Sequence, residues 1–206
     1  MTAGVAHYNP PIKVLFVCTG NLCRSPMAEA FFRQRCDERA MPWTTQSVGR
    51  SRADRPPPEE IVDAMTRHGI DLAAHRSRRI AYGHVSSADV IIGMDRSHVR
   101  DATMVLPMAF TRTFTLKELV RRGEAIGPCV VPIDHWLAWL GIGREPGDLV
   151  GSDAADDVAD PYGRSWRTYL SCASEIDDLT GRLADLLVDA RPASLLPPPD
   201  TSSEKI

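Results

Sequence analysis

The stretch Ile12-Lys-Val-Leu-Phe-Val-Cys-Thr-Gly-Asn-Leu-Cys-Arg-Ser-Pro26 combines three local patterns. Its first part, Ile12 to Val17, is a short apolar run rich in β-branched residues, which is typical of a buried parallel strand. At its end, Pro26 has a preset φ and no N–H, so it suits the start of a helix whose N-cap is Ser25. The stretch therefore predicts a strand, a tight loop and a helix in succession.

The loop between this strand and this helix has the composition of an anion site. Gly20 allows a backbone turn that other residues resist, so the N–H groups of the loop can converge at the helix N-terminus, as phosphate requires. Arg24 adds a planar guanidinium that matches two phosphate oxygens. Cys18 faces these positive groups, and we expect its thiol to ionise readily and to attack phosphorus. The Ser25 hydroxyl can donate to that sulfur.

Further strands and helices alternate along the rest of the chain. We predict strands at Thr44–Val48, Asp89–Met94 and Thr103–Leu106, and helices at Pro26–Arg39, at Glu59–His68, from about Arg96, after Thr115 with a capping box to Glu118, and from Ser165 to about Asp189. This alternation indicates an α/β protein with a parallel sheet. In such sheets, ligands bind at the carboxyl ends of the strands.

Length and composition favour one globular domain: 206 residues, of which 43% are hydrophobic and 25% are charged. We expect a flexible arm at 1–11, a folded domain at 12–190 and a Pro-rich flexible tail at 191–206. The net charge of -3 argues against a nucleic-acid or anionic-membrane partner. No apolar stretch approaches the roughly 20 residues that span a bilayer. Because the N-terminus also lacks a signal-peptide pattern, we expect a cytoplasmic protein with unpaired cysteines, whose oligomeric state is open.

The motif at 14–29 resembles the signature of the low-molecular-weight protein tyrosine phosphatases. The segment 158–169 resembles that family's Asp-Pro-aromatic acid loop and the helix after it, and 67–71, 75–78 and 89–95 also fit. The resemblance covers roughly 13–188, apart from an atypical insert at about 128–157. It implies a single domain with a four-stranded parallel sheet flanked by helices and a phosphate-binding loop after the first strand. It also implies a phosphatase that hydrolyses phosphotyrosine in proteins through a cysteinyl-phosphate intermediate, with no metal or other cofactor.

The resemblance assigns roles to individual residues. Cys18 matches the nucleophile, Arg24 the phosphate clamp, and Asp160 the general acid that later becomes the base. A second group matches positions that bind the phosphoryl group or the substrate: Thr19, Gly20, Asn21, Leu22, Cys23, Ser25 and Tyr162. A third group matches positions that support the loop: Ser47, His75 and Asp95.

Several of these roles have plainer alternatives. Asp160 ends a run of five aspartates that begins at Asp148, and such a run is often only a solvated loop, so Asp157 is the alternative acid. His75 is equally compatible with an ordinary surface histidine. Tyr162 could simply anchor its loop against the body of the protein.

The resemblance also bears on the substrate and on redox behaviour. Family members that act on phosphoarginine have a small polar residue at the position of Leu22, whereas those that act on phosphotyrosine have a branched aliphatic one, so Leu22 favours phosphotyrosine. Arsenate reductases share the loop but need a further cysteine pair, and no cysteine lies between Cys36 and Cys129. Such a reductase and a catalytically silent phosphate-binding protein are the alternative functions. Cys23 has the family spacing for a reversible disulfide with an oxidised Cys18.

Two segments depart from the family pattern. The insert contains Trp136 and Trp139, and we expect a short helix that covers the core, with a partner surface as the alternative. The loop from Gly49 to Pro58 carries arginines and no aromatic residue, so Tyr162 is expected to be the only ring in the wall of the cleft.

Overall fold

A computed structural model describes residues 11–51 and 53–192 of the chain. The predicted arm at 1–11 and tail at 191–206 lie outside the described residues, apart from residues 11, 191 and 192. No helix among the described residues is both long enough and apolar enough to cross a membrane.

Four parallel strands form the sheet: β1 (Ile12–Cys18), β2 (Trp43–Gly49), β3 (Val90–Gly93) and β4 (Thr113–Thr115). Their order in the sheet is β2-β1-β3-β4, which leaves β1 in the interior of the sheet. Val14 and Phe16 pack into one apolar cluster, whereas Leu15 and Val17 pack into a second one. Burial of alternate side chains in two clusters explains why the sequence of β1 is almost continuously apolar.

Seven helices of the described chain flank this sheet: α1 (Arg24–Glu38), α2 (Glu59–Thr66), α3 (Tyr82–Ser87), α4 (Arg96–Val105), α5 (Leu116–Ile126), α6 (Ile133–Leu140) and α7 (Trp166–Leu187). Short 3-10 turns occur at Pro107–Arg112 and Pro146–Leu149. Helices α1, α2, α5, α6 and α7 contribute to the larger cluster, and α3 and α4 to the smaller one. The expected single-domain α/β architecture is therefore confirmed.

The fourth strand is not where the sequence predicts it. Thr103–Leu106 lies at the end of α4, where the Thr103 hydroxyl donates to the carbonyl oxygen of Val99 at 3.0 Å. The strand in the sheet is Thr113–Thr115, and all three of its residues are buried. Three residues are too few to show a strand period, whereas the apolar end of an amphipathic helix resembles a short strand.

The boundaries of three helices also differ from the prediction. Helix α1 begins at Arg24 with Cys23 as its N-cap, so Ser25 is not the cap. Pro26 fits at the third position because the first four N–H groups of a helix have no partner within it. Helix α2 ends at Thr66 and α7 at Leu187, slightly earlier than expected.

The cap predicted for α5 is present, but only half of the capping box forms. The Thr115 hydroxyl accepts from the Glu118 N–H at 3.1 Å. The Glu118 carboxylate does not return to the cap, because it pairs with Arg144 at 2.8 Å and with Arg122 at 3.0 Å. Arg144 of the insert therefore binds the Glu118 carboxylate, which would otherwise complete the capping box.

Candidate active site

The loop after β1 opens into a pocket of about 190 Å³ at the carboxyl edge of the sheet. The pocket is lined by Cys18, Thr19, Gly20, Leu22, Cys23, Arg24, Ser51, Arg55, Asp160 and Tyr162. All three residues expected to perform the chemistry thus lie in one cavity, although Asp160 is far from the loop in sequence.

Cys18 is the last residue of β1, and its side chain is buried in the concave face of the loop. The Asn21 N–H donates to Cys18 Sγ at 3.1 Å, and the Ser25 hydroxyl donates to it at 3.0 Å. The backbone of the loop and the first turn of α1 thus each place one hydrogen-bond donor on the sulfur of the expected nucleophile.

Asn21 holds the loop in shape, and it is this residue, not Gly20, that adopts the left-handed backbone, with φ of 51°. Its side-chain amide donates to Ser25 Oγ at 3.0 Å and to Ser47 Oγ at 2.8 Å. Its side-chain oxygen accepts from the Arg78 N–H at 2.7 Å. Asparagine tolerates this conformation better than most residues, because its short polar side chain bonds locally.

Two of the three predicted support residues, Ser47 and His75, contact Asn21. The Ser47 hydroxyl donates to Glu29 at 2.6 Å, which leaves its oxygen free to accept from Asn21. His75 Nε2 lies 2.8 Å from the Asn21 carbonyl oxygen, so His75 contacts the loop and is not an isolated surface histidine.

Gly49 is a site residue that the sequence pattern did not identify. It pairs in register with Cys18, and a Cβ added at Gly49 would lie 2.7 Å from the Asn21 nitrogen and 2.9 Å from the Thr19 oxygen. Only a residue without a side chain lets β2 approach the phosphate loop this closely. An isolated glycine at the end of a predicted strand was the available signal.

Arg24 is buried and held at several points. Its Nη1 donates to Asp95 Oδ2 at 3.0 Å and to the Val158 carbonyl oxygen at 3.1 Å. Its Nη2 donates to Asp160 Oδ2 at 2.6 Å. Asp95 therefore fixes one side of the guanidinium, while the other side faces the pocket and the expected acid.

The two candidate acids are placed differently. Asp160 lines the pocket, and its carboxylate also accepts from the Tyr162 N–H at 3.2 Å. Asp157 accepts from the backbone N–H groups of Arg96 at 3.0 Å and of Asp153 at 2.9 Å, so its carboxylate is engaged inside its own loop. The geometry favours Asp160 over Asp157.

His98 is a second residue that the sequence reading overlooked. Its Nδ1 lies 3.2 Å from the Asp95 backbone nitrogen and 3.0 Å from Asp95 Oδ1, and its Nε2 lies 2.9 Å from Thr19 Oγ1. Burial lowers the pKa of His98, so the ring is neutral. The histidine thus links the start of α4 to the phosphate loop. Its position three residues after Asp95 fits a capping box, but glutamate or glutamine is the usual residue there.

The remaining pocket residues include an aliphatic side chain, an aromatic ring and a second thiol. Leu22 is almost fully buried, whereas Tyr162 is 52% exposed and stands at the entrance. Cys23 is buried too, and burial raises the pKa of its thiol. All five cysteines are unpaired, and Cys36, Cys129 and Cys172 are buried away from the pocket lining.

Comparison with known proteins places this geometry in a family. Residues 13–126 match the family model of the low molecular weight phosphotyrosine protein phosphatases. The chain belongs to this family. The predictions of the family and of a phosphatase are thereby confirmed, while Asp160 lies outside the matched range.

Three individual proteins that the chain matches are also phosphatases by name. A protein-arginine-phosphatase of Geobacillus stearothermophilus is 30% identical over 181 residues, which are 86% of this chain and 97% of that protein. The human low molecular weight phosphotyrosine protein phosphatase is 39% identical over 92 residues, which are 43% of this chain and 58% of that protein. The crystal structure of the low molecular weight protein tyrosine phosphatase from T. tengcongensis superposes with a TM-score of 0.65 at 30% identity, covering 84% of this chain and 98% of that one.

Proposed function

We propose that the protein hydrolyses phosphotyrosine in proteins through a cysteinyl-phosphate intermediate, without a metal ion. The observation that carries this proposal is that Cys18, Arg24 and Asp160 line one pocket. A nucleophile, an anion clamp and a proton donor are what transfer of a phosphoryl group to sulfur requires.

In the first step, the Cys18 thiolate attacks phosphorus, so that an S–P bond forms while the P–O bond to the phenol oxygen breaks. The N–H groups of the loop and Arg24 Nη2 stabilise the charge on the three phosphoryl oxygens. Arg24 Nη1 stays on Asp95 and Val158, so the clamp keeps its orientation when Nη2 turns from Asp160 to the substrate. Protonated Asp160 gives its proton to the departing phenol oxygen, a contribution of about 10²–10⁴-fold in rate.

In the second step, water attacks phosphorus and Asp160 takes its proton. The S–P bond breaks, phosphate leaves, and the thiolate returns to its two hydrogen-bond donors. The Ser25 hydroxyl, 3.0 Å from the sulfur, stabilises this leaving thiolate. Asn21 contributes twice, through its N–H to the sulfur and through the side-chain bond that orients Ser25.

Leu22 and Tyr162 support phosphotyrosine as the substrate. Both line the pocket, where an apolar side chain and an exposed ring can pack against the ring of a phenol. Phosphoarginine is the second candidate, because a protein-arginine-phosphatase matches the chain over 97% of its own length. Leu22 stands against it, since its apolar side chain offers no hydrogen bond to a guanidinium.

Two matched phosphopeptides test this proposal, one with phosphotyrosine and one with phosphoarginine at the same position. We expect kcat/KM to be at least about tenfold higher for phosphotyrosine, and Cys18→Ser to abolish hydrolysis of both peptides. Cys36→Ala is the matched control, because it removes a buried thiol of α1 that does not line the pocket. Faster hydrolysis of phosphoarginine would overturn the substrate class, and activity that survives in Cys18→Ser would overturn the mechanism.

A further inference from the structure

Arg55 belongs to the loop between β2 and α2, and it lines the pocket together with residues of the phosphate loop. Its backbone is fixed on both sides by Ser77. The Arg55 N–H donates to Ser77 Oγ at 3.0 Å, and the Ser77 N–H donates to the Arg55 carbonyl oxygen at 2.9 Å. The Asp54 N–H adds a third bond to the Ser77 carbonyl oxygen at 2.7 Å. This segment of the rim therefore has a defined position.

The guanidinium of Arg55 differs from that of Arg24. Arg24 pairs with Asp95 and with Asp160, so its charge is balanced within the site. Within 11–51 and 53–192, the Arg55 side chain makes no ion pair and no hydrogen bond. An exposed arginine that lines the pocket is thus available to an anionic group of a ligand.

A groove of about 300 Å³ continues from the pocket along the same rim. Leu22, Arg55 and Tyr162 line both cavities, and so they stand where the two meet. When the phosphotyrosine side chain fills the pocket, the groove offers the adjoining peptide a path past these three residues.

Two residues of opposite charge line the groove, and only the positive one also lines the pocket. Glu60 is a carboxylate of the groove, but it does not line the pocket, whereas Arg55 lines both. An acidic side chain next to the phosphotyrosine would therefore meet the unpaired guanidinium before it meets Glu60. A cationic side chain at the same place would be repelled by it.

We propose that Arg55 is a specificity residue that favours phosphotyrosyl substrates with an acidic residue beside the phosphotyrosine and disfavours substrates with a basic one there. This inference rests on the proposed function. A charge at the rim of a site selects among partners by attraction and repulsion and contributes less to the affinity shared by all of them. Because the guanidinium is exposed, the selection should weaken as salt screens it.

Three phosphotyrosyl peptides that differ only in the flanking residues, glutamate, glutamine or lysine, test the inference. In the wild type, we expect kcat/KM to fall in that order, by about two- to fivefold per step at low ionic strength, which is the size of an exposed ion pair. Arg55→Gln should bring the three values together, and Arg55→Glu should reverse their order. About 1 M salt should remove the preference of the wild type.

Arg167→Gln is the matched control, because Arg167 is an exposed arginine that lines neither cavity. It should leave the ratios between peptides as in the wild type. Equal kcat/KM for the three peptides in the wild type, or ratios that persist in Arg55→Gln, would overturn the role of Arg55 and leave the phosphatase proposal standing. If the wild type hydrolyses none of the three, the proposed function itself fails, and the inference fails with it.

Discussion

At the scale of single residues, the shape of the phosphate loop depends on the hydrogen bonds of Asn21 and on the absence of a side chain at Gly49. Asn21 supplies hydrogen bonds in several directions, to Ser25, Ser47 and the backbone of Arg78. Gly49 contributes by having no side chain, because a Cβ at this position would collide with backbone atoms of the loop. Both residues act on the position of the N–H groups that would hold phosphate, and catalysis is sensitive to displacements of about 1 Å.

Gly49→Ala tests this steric contribution. A Cβ at 2.7 Å from the Asn21 nitrogen forces the loop to shift, because the atom that it meets belongs to the backbone and not to the end of a flexible side chain. We expect kcat with p-nitrophenyl phosphate to fall by about tenfold or more. Far-ultraviolet circular dichroism should show that the fold is retained.

Gly83→Ala is the control for that substitution. A Cβ at Gly83, in α3, would meet nothing within 4 Å, so this change should leave kcat at the wild-type value. A wild-type kcat in folded Gly49→Ala would show that the loop tolerates the added methyl group.

At the scale of elements, three aspartates of the run before Asp160 are bound to Arg96 at the start of α4: Asp153, Asp156 and Asp157. Arg96 pairs with Asp156 at 2.7 Å and with Asp153 at 2.9 Å. Arg121 holds the other oxygen of Asp156 at 2.7 Å. Burial acts to raise the pKa of Asp156, but the bonds from Arg96 and Arg121 outweigh it and lower that pKa. The segment is therefore attached to α4 through Arg96 and to α5 through Arg121.

This attachment continues toward the active site. The Val158 N–H donates to the Met94 carbonyl oxygen at 2.8 Å, which joins the end of the segment to the end of β3. Two residues later, Asp160 meets Arg24. Arg96 is thus a positioning residue for the expected general acid, although it does not line the pocket.

Arg96→Ala should therefore impair protonation of the leaving group selectively. For phenyl phosphate, whose phenolate leaves poorly, we expect kcat/KM to fall by about tenfold, a part of the 10²–10⁴-fold that a general acid contributes. For 2,4-dinitrophenyl phosphate, whose leaving group needs no proton, kcat/KM should change little, because kcat/KM does not include the later hydrolysis of the cysteinyl-phosphate, in which Asp160 acts as the base. Asp160→Asn should show the same difference between the two substrates, with kcat/KM for phenyl phosphate falling by the whole contribution of the general acid, about 10²–10⁴-fold.

Arg121→Ala serves as the control, because Arg121 contacts Asp156 from an exposed position and leaves the bonds of Arg96 intact. It should produce no difference between the two substrates. An equal fall for both substrates in Arg96→Ala would assign Arg96 to general stability and not to the acid.

At the scale of the whole molecule, the insert extends the core of the single domain. Trp136 of α6 is buried, and its Nε1 donates to the Gly127 carbonyl oxygen at 3.0 Å. The indole lies so close to Gly123 of α5 that a Cβ there would be 3.1 Å from it. Farther along, Arg144 lies over the rings of Phe110 and Phe114 and pairs with Glu118. Trp139, by contrast, is 47% exposed, so the expectation of a core helix holds for only one of the two tryptophans.

Trp136→Ala should be strongly destabilising. Removal of a fully buried tryptophan costs about 3–5 kcal/mol, and the loss leaves the Gly127 carbonyl oxygen without its donor. At about 2–4 °C per kcal/mol for a protein of this size, Tm should fall by roughly 6–20 °C. Calorimetry or thermal circular dichroism measures the shift.

Trp139→Ala makes the matching comparison on the same helix. Its side chain is half exposed, so the free energy of unfolding should fall by less than in Trp136→Ala, by about 1–2 kcal/mol. Similar Tm values for the two variants would show that α6 contributes little to the core.

The sequence by itself determined the β1-loop-α1 unit, the parallel α/β class and the residues Cys18 and Arg24 as candidates. These follow from local patterns, since a buried strand, a loop with an arginine and a helix start are each encoded by adjacent residues. The resemblance to a family added Asp160, Ser47, His75 and Asp95, all of which the fold brings to the loop or its clamp.

Only the tertiary structure decided which residues meet across the chain. It placed the fourth strand at Thr113–Thr115, because burial beside β3 and not intrinsic pattern makes that segment a strand. It brought Gly49 and His98 to the loop, and it engaged Asp157 in backbone bonds while Asp160 reached Arg24. Such contacts join positions up to 136 residues apart, and no local pattern records them, because they arise only when strands and loops converge at one edge of the sheet.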